Sequence, residues 1–246
     1  MTLSEVAIAF ACLALGGVIK GATGAGAPIF AVPALAMMFD VQFAVVVMLM
    51  PNLLTNCWQA WRFRHQRLST RFHLGFAGAG AVGVLPGSVM LARLPPHFLS
   101  LGVAFAVIAY IAFRVARPGW SIGRALARRL SAPAGLSAGL LQGASGLSAP
   151  VSLTFLNAMK LERPYFIFSA SLFFVAMTLP QLPMLVALGV LTPQRLLLST
   201  CALLPVVLFM PLGARLARHL PRKLFDRVIL AVLGILAVKL LLDALL

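Results

Sequence analysis

Acidic residues are almost missing from this chain. Glu5, Asp40, Glu162, Asp226 and Asp243 are all there are in 246 residues. None falls at the centre of an apolar run. A transport cycle driven through a buried carboxylate therefore has no residue to use, and neither has a carboxylate-lined cation path. Cysteine is scarce as well. Cys12, Cys57 and Cys201 lie inside apolar runs without metal or redox spacing, and read as small packing residues. His65, His73, His97 and His219 sit in loops or at the ends of apolar runs, with no metal-ligand or triad spacing. No catalytic constellation is visible, so the chain does not read as an enzyme, and nothing calls for a cofactor or a metal. No polar block is long enough for a soluble domain, and residues 1–5 lack the basic region that opens a signal peptide.

What is present is apolar side chain. Hydrophobic residues make up 61% of the sequence, and the mean hydropathy is +1.02. No soluble domain of this length has interior enough for that. Several apolar runs approach the roughly 20 residues that span a bilayer. The sequence predicts an all-α polytopic membrane protein, with the lipid bilayer as its first partner. The net charge of +15 would suggest nucleic acid on a soluble chain. Here the charges fall in short loops between apolar runs, which is the positive-inside pattern and gives nucleic acid no role.

One short stretch is written twice. Residues 20–28 read KGATGAGAP and residues 142–150 read QGASGLSAP. A shift of 122 carries Gly21, Ala22, Gly24, Ala27 and Pro28 onto Gly143, Ala144, Gly146, Ala149 and Pro150. Thr23 becomes Ser145, and Lys20 becomes Gln142. Each copy interrupts apolar sequence, so each is expected to break a membrane helix. Later landmarks echo at a shift of 126: Gly87, Leu94 and Pro95 answer Gly213, Leu220 and Pro221.

The expected fold is two inverted-topology repeats, residues 1–119 and 120–246, in one membrane domain. Each has a broken or re-entrant helix followed by three transmembrane helices. The spans are expected at 41–61, 72–92 and 97–113, then at 164–188, 193–212 and 228–246. The breaks themselves are expected at 20–26 and from 142 to Pro150, where the second return piece begins. If each broken stretch makes an even number of passes, the halves have opposite orientation. The basic loops at 62–71, 114–129, 160–163 and 215–227 then all face the cytoplasm. Every Lys and Arg lies in those loops except Lys20, Arg93, Arg195 and Lys239. Both termini come out extracytoplasmic, in the inner (cytoplasmic) membrane of the cell.

Paired inverted repeats with a broken helix in each are a secondary-transporter pattern, with the substrate expected where the breaks meet near the midplane. Backbone that leaves its helical ladder must line a cavity or be buried in protein. Gly24, Gly26, Gly143 and Gly146 permit positive φ and close approach of a ligand to the main chain. Half-helices starting at Pro28 and Pro150 would aim their N-termini at an anion. Thr23, Ser145 and Ser148 would add hydroxyl donors, and Gly21 completes the glycine-lined path. Two of these glycines also belong to regular small-residue spacings, Gly17 with Gly21 and Gly135 with Gly139 and Gly143, which read as helix-packing seams. Lys20 is the one basic residue not at a membrane boundary, and a charge there is a functional candidate or a snorkelling side chain. Asn52, Thr55, Asn56 and Gln59 share one helical face, and Thr178 and Gln181 stand where the repeat places Asn56 and Gln59. These amides and hydroxyls would coordinate an oxyanion or bond helices together. Gly75, Ala79, Gly83 and Gly87 form a packing face through which a homodimer could form. The resulting reading is a small-molecule anion transporter, with an anion channel through the same glycine-lined path as the alternative.

The run GATGAGAPIFAVP at 21–33, its echo GASGLSAP at 143–150, the size and the two-fold repeat resemble the sulfite exporter TauE/SafE family of membrane permeases. The resemblance spans nearly the whole chain. It implies export of sulfite or small organosulfonates.

Overall fold

The computed structural model describes residues 2–117, 119–219 and 222–245, with side chains at all of these but 218, 222–229 and 243–245. Leu220 and Pro221 of the second echo therefore lie outside the described residues, as do the side chains of Asp226 and Asp243. The elements are helical throughout the described residues: α1 Leu3–Thr23, α2 Ala27–Met38, α3 Val41–Val47, α4 Leu49–Arg62, α5 Thr70–His73, a π-helical turn Leu74–Gly78, and α6 Ala79–Arg93. α7 Pro96–Ala116, α8 Arg124–Ser145, α9 Ser152–Ala158, α10 Arg163–Ala187, α11 Pro193–His219 and α12 Arg222–Leu245 follow. Six stretches are long and apolar enough to cross a membrane: Leu3–Thr23, Val41–Arg62, Thr70–Arg93, Pro96–Ala116, Arg163–Ala187 and Pro193–Ala217. The protein is an all-α polytopic membrane protein.

Local chemistry sets the helix ends. Thr2 and Glu5 form a capping box on α1: the Glu5 amide donates to Thr2 Oγ1 at 3.3 Å and the Thr2 amide to Glu5 Oε2 at 2.9 Å. Asp40 caps α3 by accepting from the Phe43 amide at 2.7 Å. That use accounts for one of the few carboxylates without any chemistry. α1 and α8 end on the same device. Gly24 (φ 83°) and Gly146 (φ 70°) adopt the left-handed conformation, and their N–H groups return to the carbonyls of Lys20 and Gln142 at 2.7 and 2.8 Å.

Both breaks are shorter or later than their sequences suggest. α1 continues through Lys20 to Thr23, so the first break is 24–26. α8 continues through Gln142 to Ser145, and α9 starts at Ser152, with Pro150 still in the turn ahead of it. Glycine spacing suits close packing as well as it suits a break, and here Gly21 and Gly143 do the packing. The linker 114–129 shortens likewise. α7 runs to Ala116 and α8 begins at Arg124, so Arg124, Arg128 and Arg129 ride the first turns of a helix.

The most extensive helix contacts are α6 on α8 and α1 on α11. Both are glycine seams. A Cβ on Gly17 would strike the Val206 backbone, and one on Gly21 the Met210 backbone. A Cβ on Gly139 would strike Gly80, and one on Gly143 would strike Val84. Gly213 lies against Val18 as Gly87 lies against Leu140. Shifts of 122 in α1 and 126 in α6 carry each contact onto its counterpart. A two-fold relation between the halves would give this exchange: α1 of the first half rides on α11 of the second, and α8 of the second rides on α6 of the first. α4 on α10 and α7 on α12 pack like with like.

Two expectations change. The face of Gly75, Gly83 and Gly87 is occupied within the chain, by Ser131 and by the α8 backbone at Leu136 and Leu140. It is not free for a second copy. Cys57 and Cys201 are exposed rather than packed. A lipid-facing helix surface is as apolar as the interior, so an apolar run does not mark which side of the helix is buried.

Candidate functional site

Among the described residues, Lys20 is the one Lys, Arg, Asp or Glu that is buried, at 1% exposure. It sits in the last turn of α1 and its Nζ donates to Asn56 Oδ1 at 2.8 Å. Asn56 Nδ2 in turn donates to Asn52 Oδ1 at 2.8 Å and to the Asn52 carbonyl at 2.6 Å. Asn52 Nδ2 approaches Thr178 Oγ1 at 3.4 Å. A single buried polar chain thus runs Lys20–Asn56–Asn52–Thr178 through α1, α4 and α10. Gln59, one turn further along α4, accepts from Ser171 Oγ at 3.3 Å. The pairs Asn52–Thr178 and Gln59–Ser171 show α4 and α10 running antiparallel with their polar faces together. That face is legible as the i, i+3, i+4, i+7 spacing. Ser171 carries no such signal.

A kink precedes this face. Pro51 has no N–H, so the Val47 carbonyl four residues back loses its helical donor, and the helix breaks at Met48 between α3 and α4. Ser199 of α11 repairs the damage. Its Oγ donates to the Val47 carbonyl at 3.0 Å and accepts from the Met50 amide at 2.9 Å. Shifted positions in the other half hold a related contact: His73 Nε2 lies 3.1 Å from Ser169 Oγ. Both pairs are buried, and neither Ser199 nor His73 stood out in the sequence as part of a site.

Gly24 lies against Ile167 and Gly26 against Leu153, whereas Gly146 lies against Val45 and Val32. Val32 is six residues along α2 from Gly26, about 9 Å at the helical rise. Each break is therefore laid beside the opposite half's helices. Between them a cavity is lined by Pro28, Val32, Val45, Met48, Leu49, Asn52, Gln142 and Gly146. It measures about 10 Å³, close to the least that holds one water.

Several residues expected to bind a ligand are committed elsewhere. Gly21 and Gly143 are in the glycine seams. Thr23 Oγ1 bonds the Ile19 and Ala25 carbonyls, and Ser145 Oγ donates to the Leu141 carbonyl at 2.8 Å. Hydroxyls near a helix end satisfy their own backbone first. Ser148 bonds Ser152 Oγ at 3.2 Å. The α9 terminus is also spent: the amides of Val151 and Ser152 donate to the Ser148 carbonyl at 3.1 and 2.8 Å, and Leu153 to Ala149 at 3.2 Å. No open N-terminus faces an anion at the second break. Two amides stand apart, because Gln142 Oε1 and both polar atoms of Gln181 are buried without a hydrogen-bond partner among the described residues.

Fold and site together define a polytopic membrane protein in which, among the described residues, one buried lysine meets a chain of neutral amides and a hydroxyl. The chain belongs to the sulfite exporter TauE/SafE family, whose model matches residues 9–240. No curated protein and no solved structure matches it.

Proposed function

We propose that the protein is a secondary transporter that exports a small sulfur oxyanion, sulfite or a small organosulfonate, across the cytoplasmic membrane by alternating access. The observation that carries this reading is Lys20. It is buried with an amide oxygen as its partner and no acidic residue beside it among the described residues. An uncompensated buried charge costs several kcal/mol, and a bound anion offsets that cost. Asn56, Asn52, Gln59 and Thr178 give the anion neutral hydrogen-bonding surroundings, and the family's name supplies the substrate class.

The cavity beside Asn52 is too small for sulfite, which supports a closed state that must open to load rather than a standing pore. The orientation that puts the basic loops in the cytoplasm places the Arg62 end of α4 inside and both termini outside. An inside-negative potential favours the exit of an anion by about 2.3 kcal/mol per charge per 100 mV, so export needs no buried carboxylate.

The test is flux in proteoliposomes holding the purified protein, with sulfite, sulfoacetate, sulfate and chloride compared under an imposed potential. Saturable, potential-sensitive sulfite or sulfonate movement is expected, and Lys20→Ala should abolish it while the protein still accumulates in the membrane. Unsaturated flux of chloride alone would replace the carrier by an anion channel. Full activity of the Lys20 variant would remove that residue from the site.

A further inference from the structure

Lys20 and Gln142 hold corresponding places in the two halves, and the contacts around them correspond as well. Gly24, four residues past Lys20, lies on Ile167; Gly146, four residues past Gln142, lies on Val45. The polar surroundings differ. Lys20 is tied to Asn56. Gln142, 5% exposed, borders the small cavity with Asn52 and Gly146, and its Oε1 has no donor among the described residues. Gln181 lies one turn along α10 from Thr178, on the side away from Ser171. It is fully buried, and neither amide atom has a partner among the described residues. Buried polar groups are nearly always paired, and an unpaired one points to water, an ion or a function. Gln142 shares the cavity with Asn52, Gln181 follows Thr178 by one turn of α10, and Lys20 meets the chain at its other end, on Asn56.

We infer that Gln142, Asn52 and Gln181 form a second, uncharged station for the same small oxyanion. Asn52 belongs to both stations, so the anion moves from one to the other across Asn56 and Asn52. The inference rests on the export reading above. The amide N–H groups donate to the anion's oxygens, and Gln142 Oε1 accepts from a hydroxyl of the anion or from its hydration water. Hydrogen bonds to neutral amides are weaker than those from an ammonium, so the second station holds the anion less tightly than Lys20 does. With the basic loops inside, Lys20 pairs with the cytoplasmic half of the α3–α4 helix. The cavity, walled by Val45, Met48 and Leu49, adjoins its outer half. The carrier is thus built to load tightly from the cytoplasm and to release weakly outside. The cavity must widen for this, since at about 10 Å³ it admits no more than one water.

The test measures half-saturation for sulfite from each face in proteoliposomes of known sidedness. The wild type is expected to saturate at a sulfite concentration roughly tenfold or more lower on the Lys20 face. Gln142→Lys should place a cation in the second station and bring the outer value down to within about threefold of the inner one. Equal half-saturation at both faces of the wild type, or an outer value unmoved by Gln142→Lys, overturns the second station. Should the lysine variant fail to accumulate, Gln142→Met is expected to raise the outer value more than the inner; equal rises overturn the proposal. The two readings fail differently. Saturable wild-type flux that Lys20→Met lowers, with Gln142 variants shifting both faces alike, defeats only the station. Absence of saturable sulfite flux in the wild type defeats the export reading and the station together.

Discussion

Gly21 packs on Met210 as Gly143 packs on Val84, and the residues just before these glycines, Lys20 and Gln142, differ in chemistry. The two halves agree where backbones touch and diverge where side chains meet the interior. Helix association in a bilayer has no hydrophobic drive and relies on close packing, so small residues at the seams leave few alternatives. The interior face is under no such constraint. It carries a cation in one half and an uncharged amide in the other. The largest effects should therefore come from disturbing what the halves share, and the asymmetric ones from disturbing what they do not.

Gly21→Val and Gly143→Val test the shared part. Each would drive a side chain into facing backbone, which cannot rotate away as a side chain can. Each is expected to cost about 3 kcal/mol or more, seen as loss of the monodisperse peak on size exclusion in detergent. A tolerated valine at one position and not the other would break the equivalence of the seams.

Lys20→Met tests the unshared part, and its two readouts should move in opposite directions. Saturable sulfite flux should fall roughly ten- to hundred-fold, because a charged hydrogen-bonding partner is worth about 1.5–3 kcal/mol. Thermal stability in detergent without ligand should rise, since an apolar side chain of similar length removes an uncompensated buried charge. A fall in both would make Lys20 a structural residue.

The seams, the polar face of α4 and the Lys20 position were legible in the sequence because each is a spacing or a lone charge. The ends of the breaks were not. The same small residues serve a helix crossing and a helix stop, and within the two repeated stretches Gly24, Gly26 and Gly146 take the positive φ that separates the two. The engagement of the hydroxyls is hidden for a related reason. Thr23 and Ser145 look free in a sequence, but each sits one turn after a carbonyl that it can reach. Ser171, Ser199 and His73 meet their partners across 112, 149 and 96 residues of chain, and no local pattern reveals such a meeting.

Ser199 gives a contrast of intermediate size. Ser199→Ala leaves the Val47 carbonyl and the Met50 amide unpaired beside the Pro51 kink, and should cost about 1–3 kcal/mol. Ser169→Ala, which breaks the corresponding contact, removes one partner of His73 from a helix whose ladder has no proline at the place of Pro51, Phe173. Its loss should be the smaller of the two in thermal unfolding. Ser199→Ala should also weaken sulfite transport, because the kink immediately precedes Asn52, and Asn56, the residue that pairs with Lys20, follows one turn later. Ser199→Thr, which keeps the hydroxyl, should restore transport.

The smallest contrast is between the two glycines that end the broken helices. Both have positive φ, so alanine at either is strained by roughly 1–2 kcal/mol. The neighbours differ. A Cβ on Gly24 would come to 2.5 Å from Ile167 Cγ1, near the branch point of that side chain, whereas one on Gly146 would come to 2.9 Å from a Val45 methyl. The isoleucine must change rotamer or push the start of α10 aside; the valine needs a smaller shift. Gly24→Ala is therefore expected to lower the melting temperature more than Gly146→Ala, with both variants still folded. Equal losses would mean that backbone strain alone sets the cost, and that the walls beside the two breaks yield alike even though one is isoleucine and the other valine.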